Sequence, residues 1–229
     1  MSTLDVAVEL GPRGRKVAAW ATRWPGLERG GATPEEALAR LEQYRERYAL
    51  VARRAGRGRE FTSTGPVRVV ARYPGTGSTD FWGISFASCA LDEAPQSAEE
   101  TERALEILAG AWAVFDDART SVSARLRRGP RGGGRDREAI AAHVLSCEQD
   151  WARKLAVTPD GDLATDPAAL ARHREAYRRA VRDHRDEGRR ARTWTLPFLV
   201  RHSAYHVLDH AWEMHDRDLG PAGDPPRST

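Results

Sequence analysis

Three histidines, His202, His206 and His210, recur at intervals of four near the C-terminal end of this 229-residue chain. Residues four apart on an α-helix lie about 40° apart around its axis and one turn apart along it. An HxxxH pair can therefore present two imidazoles to one divalent metal ion. The spacing predicts a metal-binding pair on a helix.

The phase of that helix decides which two histidines form the pair. With His202 at 0° and about 100° per residue, the apolar residues of the segment lie at about 120° to 200°. These residues are Val200, Ala204, Val207, Ala211 and Met214. His210 falls at about 80° and His206 at about 40°, so both border the apolar side. His202 is expected to point further towards solvent.

A third ligand is available on another predicted helix. His143 lies three residues after Ile140 and four before Cys147, on the flank of that helix's apolar face. Neighbouring helices of a bundle can bring such flanks together around a metal. Three imidazoles leave positions open for water or substrate, as in reactive sites. Glu213, three residues after His210, can orient an imidazole or take part in proton transfer.

Other interpretations of the histidines and of the cysteine stay open. A histidine beside an apolar face is often only a partly buried side chain. His173 and His184 lie in a charge-rich segment and are expected to be solvated, and His215 to interact with a helix C-terminus. Cys147 can be a fourth ligand or a nucleophile, but we favour a small core residue.

Four amphipathic segments are predicted to carry these residues. The first two helices are expected over about 97–128 and 136–156, the third from the N-cap Asp166 to near Gly188, and the fourth over about 195–219. Four such helices with short loops are typical of an up-and-down four-helix bundle. The all-α domain is assigned to 96–219.

The first 75 residues have a different pattern. Two strands at Val6–Leu10 and Val17–Ala21 read as a hairpin, and Val67–Tyr73 reads as a third strand. A helix begins after Thr33, its predicted N-cap, with Glu36 placed to close a capping box. The sequence thus predicts an α+β N-terminal unit, 1–75, followed by the all-α up-and-down four-helix bundle.

Two further segments connect or end these domains. Residues 76–95 are predicted to be a turn-rich linker that packs Phe81, Trp82 and Phe86 against one domain or the other. Its glycine-rich start has no lysine before the Ser/Thr, which excludes a phosphate-binding loop. The tail 220–229 is expected to be disordered.

Charge balance, cysteine count and hydropathy limit the partners and the cellular location expected for this protein. The 36 basic residues nearly cancel 33 acidic ones, giving a net charge of +3, so no DNA partner is expected. The two cysteines are too few for a disulfide framework and suit a reducing compartment. No apolar run of about 18 residues and no signal peptide is recognised, so the expected location is cytoplasmic, with no membrane partner.

The predicted ligands lie within motifs that resemble a known family. The sequence HVL at 143–145 with Glu148, and YHVLDHAWE at 205–213, are similar to the DinB-like superfamily. The likeness covers about 96–219. It implies a four-helix bundle that holds a zinc or nickel ion on a histidine triad, here the three predicted ligands.

The same resemblance implies an activity on a small-molecule substrate. Relatives include S-transferases and isomerases that use a low-molecular-weight thiol, which the metal would bind and ionise. Hydrolysis by a metal-bound water is another chemistry of such an ion. Arg131 and Arg135, in the glycine-rich loop, can bind the carboxylate of a thiol cofactor or substrate. A solvated loop is the alternative, and a homodimer is left open.

The N-terminal unit carries a second resemblance. The sequence WPGL at 24–27 followed by GGATPEEAL at 30–38 resembles the HicB-like fold, in which a strand ends in a Pro-Gly turn before such a helix. HicB antitoxins pair with a toxin and often carry a separate DNA-binding domain, which is not recognised here. The resemblance implies an alternative function: a non-catalytic binding or regulatory module with a protein or RNA partner.

Overall fold

The computed structural model describes residues 3–129 and 134–220. Within those ranges it is a mixed α/β structure. Its strands are β1 (Leu4–Leu10), β2 (Val17–Ala21), β3 (Glu28–Gly31) and β4 (Val67–Pro74). Its α-helices are α1 (Pro34–Arg54), α2 (Gly58–Thr62), α3 (Gly77–Trp82), α4 (Ala90–Glu93), α5 (Ala98–Ser121), α6 (Arg137–Ala152), α7 (Pro167–Asp186) and α8 (Leu196–Asp216). No helix in the described ranges combines the length and apolar character needed to cross a membrane.

The chain divides into two compact units. The first comprises Met1–Ala111 and Thr193–Tyr205, and the second comprises Trp112–Arg192 and His206–Thr229. Helices α5 and α8 therefore contribute residues to both units. The predicted domain boundaries at 75 and 96 both fall within the first unit and stay predictions. Nearly all of the predicted tail lies outside the described residues.

The first unit is built on a four-stranded sheet with the order β3-β2-β1-β4. The predicted hairpin is confirmed, since β1 pairs antiparallel with β2 and Val6 lies opposite Ala21. The predicted third strand is β4, which pairs parallel with β1. Strand β3 was not predicted, because its sequence Glu-Arg-Gly-Gly has no apolar alternation. A Cβ on Gly31 would lie 2.5 Å from the Ala37 amide nitrogen, so glycine there permits close packing of α1.

The start of α1 follows the predicted cap with one difference. Thr33 Oγ1 accepts a hydrogen bond from the amide of Glu36 at 3.2 Å, and Pro34 occupies the first turn. The Glu36 carboxylate accepts instead from the amide of Ala32, at 2.7 Å. The predicted capping box is therefore wrong in its second hydrogen bond, which reaches one residue further upstream.

Residues 76–95 are not a plain linker, because they contain α3 and α4 and are tied to the sheet by a buried carboxylate. Glu9 is fully buried, and its carboxylate accepts from Ser85 Oγ at 2.6 Å and from the amides of Phe86 and Ala87 at 3.1 Å each. Thr79 Oγ1 donates to the same carboxylate. These bonds hold the segment against β1.

The aromatic residues of this segment are not all packed as predicted. The Phe86 ring contacts the His202 ring, with centroids 5.2 Å apart. Phe81 and Trp82 are instead 66% and 63% exposed. Their predicted packing is wrong, because α3 is held by Thr79 and Asp80 and turns its last two side chains outwards.

A second buried carboxylate, that of Glu28, predicts a pH dependence of stability. Its Oε1 accepts from the Ser85 amide at 2.6 Å, and its Oε2 lies 3.9 Å from Arg201 Nη1. Burial raises the pKa of Glu28 to about 8, although the Arg201 charge opposes the shift. The folded protein thus keeps this proton up to about pH 8, whereas the unfolded chain releases it near the ordinary glutamate pKa.

The stabilising contribution of neutral Glu28 is therefore fully present at acidic pH and is lost as the pH rises towards 8. Glu28→Gln removes this titration, so the variant's melting temperature is expected to fall less between pH 5 and pH 8. Thermal unfolding over that range, with the exposed Glu42→Gln as control, measures the difference. Parallel profiles for Glu28→Gln and the parent would contradict the assignment.

The four helices predicted after residue 96 are present with shorter ends. Helix α5 ends at Ser121 rather than near 128, since the amide and hydroxyl of Ser123 donate to Asp218 Oδ1 at 2.9 and 2.7 Å. Helix α6 ends at Ala152 and continues only as a 3-10 turn. Helix α7 begins as predicted, with Asp166 accepting from the amide of Ala168 at 2.8 Å.

Two histidines of α7 differ from the prediction that they are solvated. His173 and His184 are 4% and 6% exposed. His184 Nδ1 donates to the Ala180 carbonyl oxygen at 2.8 Å. Arg174, the next residue after His173, is buried as well, so local charge density was a poor guide to burial.

Candidate metal centre

Helices α6 and α8 bring the three predicted ligands together in the second unit. The ligand atoms of His143, His206 and His210 all lie within 4.8 Å of one another. His206 Nε2 is 3.1 Å from His143 Nε2, and the His206 and His210 ring centroids are 4.6 Å apart. The HxxxH spacing on α8 thus brings the rings of His206 and His210 close to each other and to His143.

The arrangement suits a transition-metal ion. Zinc lies about 2.0–2.1 Å from imidazole nitrogens, so two ligands at a tetrahedral angle are about 3.3 Å apart. The Nε2 atoms of His143 and His206 are 3.1 Å apart, close to that separation. Imidazole donors favour zinc, nickel, copper or iron over magnesium or calcium.

Glu213 contacts one of the predicted ligands directly. Its Oε2 lies 2.8 Å from His210 Nδ1, and its Oε1 lies 2.8 Å from Arg217 Nη1. The hydrogen bond from His210 lowers the pKa of Glu213, with the charges of Arg217 and Arg135 acting in the same direction. Because an ionised carboxylate only accepts, Nδ1 of His210 carries the proton of this hydrogen bond, which leaves Nε2 as the nitrogen that a metal would bind.

The surroundings of His143 favour its neutral form. Burial lowers its pKa, and the nearby positive charge of Arg135 lowers it further. A neutral imidazole is the form that binds metal. The other predicted cofactor-binding residue, Arg131, lies outside the described residues, while Arg135 is exposed and contributes positive charge beside the histidines.

Cys147 lies beside the three histidines without joining them. Its Sγ is 4.0 Å from both ring nitrogens of His143, and it is not one of the residues whose ligand atoms cluster within 4.8 Å. Burial raises the pKa of the thiol, and the negative charge of Asp150 raises it further. The uncharged, half-buried thiol fits the interpretation as a small packed residue better than that of a nucleophile.

His202 belongs to the first unit, and its predicted exposure is wrong. Its side chain is 5% exposed and its ring stacks on Phe198 with a centroid distance of 5.5 Å. The Trp194 ring lies edge-on at 5.5 Å. Burial lowers its pKa to about 4, helped by the Arg201 charge. The helical wheel failed because aromatic side chains cover a face that α8 alone leaves open.

Sequence reasoning missed an ion-pair cluster on α5, α6 and α7. Arg174 donates from Nε and Nη2 to the two carboxylate oxygens of Glu148, at 3.0 Å each, and from Nη1 to Asp116 at 2.7 Å. Burial lowers the pKa of Arg174, but the two carboxylates raise it by more, so the guanidinium stays charged. Glu148 is thus held by Arg174. The sequence signal for burial of Arg174 was its position four residues after Leu170, on the same side of the helix.

The contact between Glu213 and His210 leads to a prediction. Glu213→Gln is expected to weaken zinc binding by about 10-fold, because loss of an outer-shell partner typically costs 10–100-fold. Calorimetric titration of chelator-treated protein measures the affinity. Glu138→Gln, an exposed substitution on α6, serves as control, and equal affinities in the two variants would contradict an orienting role for Glu213.

The centre therefore combines three converging imidazoles, a carboxylate that fixes one tautomer and a nearby arginine. Such a set can bind a metal and an anionic group beside it. No family model, curated protein or solved structure matches this chain, so its function has to be inferred from the residues of the site themselves.

Proposed function

We propose that His143, His206 and His210 bind one divalent ion, zinc or nickel, in a DinB-like protein whose helices α5 to α8 form an up-and-down four-helix bundle. The observation that supports the site most directly is the 3.1 Å approach of two Nε2 atoms from different helices. A hydrogen bond from His210 Nδ1 to Glu213 adds the outer-shell partner usual for metal-bound histidine.

The proposed activity is a thiol S-transfer or a hydrolysis on a small molecule. A metal ion on three imidazoles has open positions, at which it lowers the pKa of a thiol or of water. Arg135 supplies positive charge beside His143 and Glu213, which favours an anionic thiol or substrate. Glu213 accepts the hydrogen bond from His210 Nδ1, and its carboxylate can take part in a further proton transfer.

The activity is tested with protein stripped by a chelator and reloaded with zinc or with nickel. Each form is assayed with low-molecular-weight thiols and a chromogenic aryl halide for S-transfer, and with a nitrophenyl ester for hydrolysis. Turnover that requires metal and is lost in His143→Ala is the expected result. If metal-loaded and stripped proteins behave alike in both assays, the proposed reactions are wrong, whereas metal occupancy tests the site separately.

A further inference from the structure

Two aromatic side chains stand out on the surface of the first unit. Phe81 and Trp82, at the end of α3, are 66% and 63% exposed. Their rings form an edge-to-face pair with centroids 4.5 Å apart. No other Phe, Trp or Tyr side chain in the described part of the chain is exposed. Adjacent exposed aromatic rings are typical of a binding surface rather than of solvent-facing structure.

The protein holds this pair in place with several polar contacts. The Asp80 carboxylate accepts hydrogen bonds from the amides of Arg13 and Arg15, at 2.7 and 2.9 Å, which ties α3 to the β1–β2 loop. Lys16 Nζ donates to the Phe81 carbonyl oxygen at 2.7 Å. The aromatic pair is thus presented on a fixed element, so little ordering is needed when a ligand binds.

Positive charge lies beside the rings. Arg13 and Arg15 are exposed, and neither guanidinium has an ion pair or side-chain hydrogen bond within the described residues. Both line one cleft together with Phe81. With Lys16, they outnumber the single nearby acid, Asp80, whose carboxylate is already satisfied by backbone amides. The cleft therefore combines two exposed arginine side chains with an accessible aromatic ring.

We propose that this cleft, lined by Pro12, Arg13, Arg15, Gly77, Asp80 and Phe81, binds single-stranded nucleic acid together with the neighbouring Trp82. Phe81 and Trp82 would stack on unpaired bases, and Arg13 and Arg15 would contact the phosphates. Aromatic stacking combined with basic side chains is the shared chemistry of single-strand binding, and it is tolerant of sequence. The surface is independent of the histidine site, which lies in the other unit.

The arrangement favours a nucleic acid over a lipid surface. Membrane-bound segments bury a broad apolar face with charges at its border. Here only two apolar side chains are exposed on α3, and the arginines share a cleft with one of them. A cleft lined by an aromatic ring and two arginine side chains fits a base and its phosphate. A duplex would not offer its base faces to these rings.

The test is a fluorescence-anisotropy titration of the full chain with short labelled oligo-U and oligo-dT at several salt concentrations. Phe81→Ala/Trp82→Ala is expected to weaken binding by about 10-fold or more, from the loss of base stacking. Arg13→Ala/Arg15→Ala is expected to reduce the slope of log K against log salt by about 1.4, the value for two phosphate contacts. The ratio of the parent protein's affinities for oligo-U and oligo-dT shows whether RNA or DNA is preferred.

Three controls keep the proposal falsifiable. Arg53→Ala/Arg59→Ala removes the same charge from exposed positions outside the cleft and should leave the salt slope unchanged. Phe81→Leu/Trp82→Leu keeps apolar surface but removes the aromatic faces, so oligonucleotide binding should fall as in the alanine variant. Thermal unfolding confirms that each variant is folded.

Two results would overturn the proposal. One is a failed oligonucleotide titration. Either the parent protein binds neither oligonucleotide at low ionic strength, or the aromatic variants bind as well as the parent. The other is binding to phosphatidylserine vesicles that the leucine variant preserves while oligonucleotide binding is absent, which would assign the surface to a membrane.

Discussion

His206→Ala is expected to abolish stoichiometric metal binding. The substitution removes one of three imidazoles whose ligand atoms lie within 4.8 Å of one another, and leaves a pair drawn from different helices. Loss of an outer-shell partner alone costs about 10–100-fold in affinity, so loss of a ligand should cost more than about 100-fold. Elemental analysis of protein dialysed against zinc or nickel, with calorimetry for the residual affinity, measures the effect.

A matched control is available on the same helix. His215 is exposed on α8 and lies outside the three-histidine group, so His215→Ala should keep the parent's metal content. His143→Ala should lose metal as His206→Ala does, although it lies on α6. If His143→Ala or His206→Ala retains bound metal with the fold intact, the proposed site is wrong.

The three converging histidines could be predicted because each flanks the apolar residues of its helix. The wheel gave the phase of His206 and His210 relative to the apolar residues of α8, and His143 flanked the apolar face of α6. Their convergence depends mainly on helix packing, which periodicity constrains well. The proximity of Glu213 to His210 follows from their three-residue spacing.

Two polar side chains, those of His202 and Glu9, are buried by contacts with residues far away in sequence. His202 is covered by Phe86, more than a hundred residues earlier, and no helical wheel contains that information. Glu9 alternates like a solvent-facing strand residue, yet it is buried because Ser85 and the amides after it satisfy its carboxylate. Tertiary hydrogen bonds reversed the ordinary assignment of a charged residue to the surface.

The Glu148 and Arg174 pair could have been found from the sequence. Glu148 follows Val144 by four residues, and Arg174 precedes Tyr177 by three, so each charge interrupts an apolar stripe. Opposite charges on two buried stripes can pair with each other. A helical wheel shows one helix at a time, so it does not reveal that the two charges are complementary.

Glu148→Ala is expected to destabilise the protein by about 3–5 kcal/mol, the usual effect of breaking a buried ion pair. The side chains of Glu148 and Arg174 are 5% and 10% exposed. Removal of the carboxylate leaves a guanidinium that burial has separated from water, with the half-exposed Asp116 as its remaining counter-ion among the described residues. Urea unfolding in the presence of a chelator measures the loss without a contribution from bound metal.

A double substitution separates the charge effect from a packing effect. Glu148→Leu combined with Arg174→Met removes both charges and keeps apolar volume, so it should recover much of the stability lost in Glu148→Ala. If the double variant is as unstable as the sum of the two single variants, packing rather than an unpaired charge dominates. Because Glu148 is engaged by Arg174 rather than by the histidines, the double variant should also bind zinc with the parent's stoichiometry. That last result distinguishes a residue that stabilises the fold from one that belongs to the metal centre.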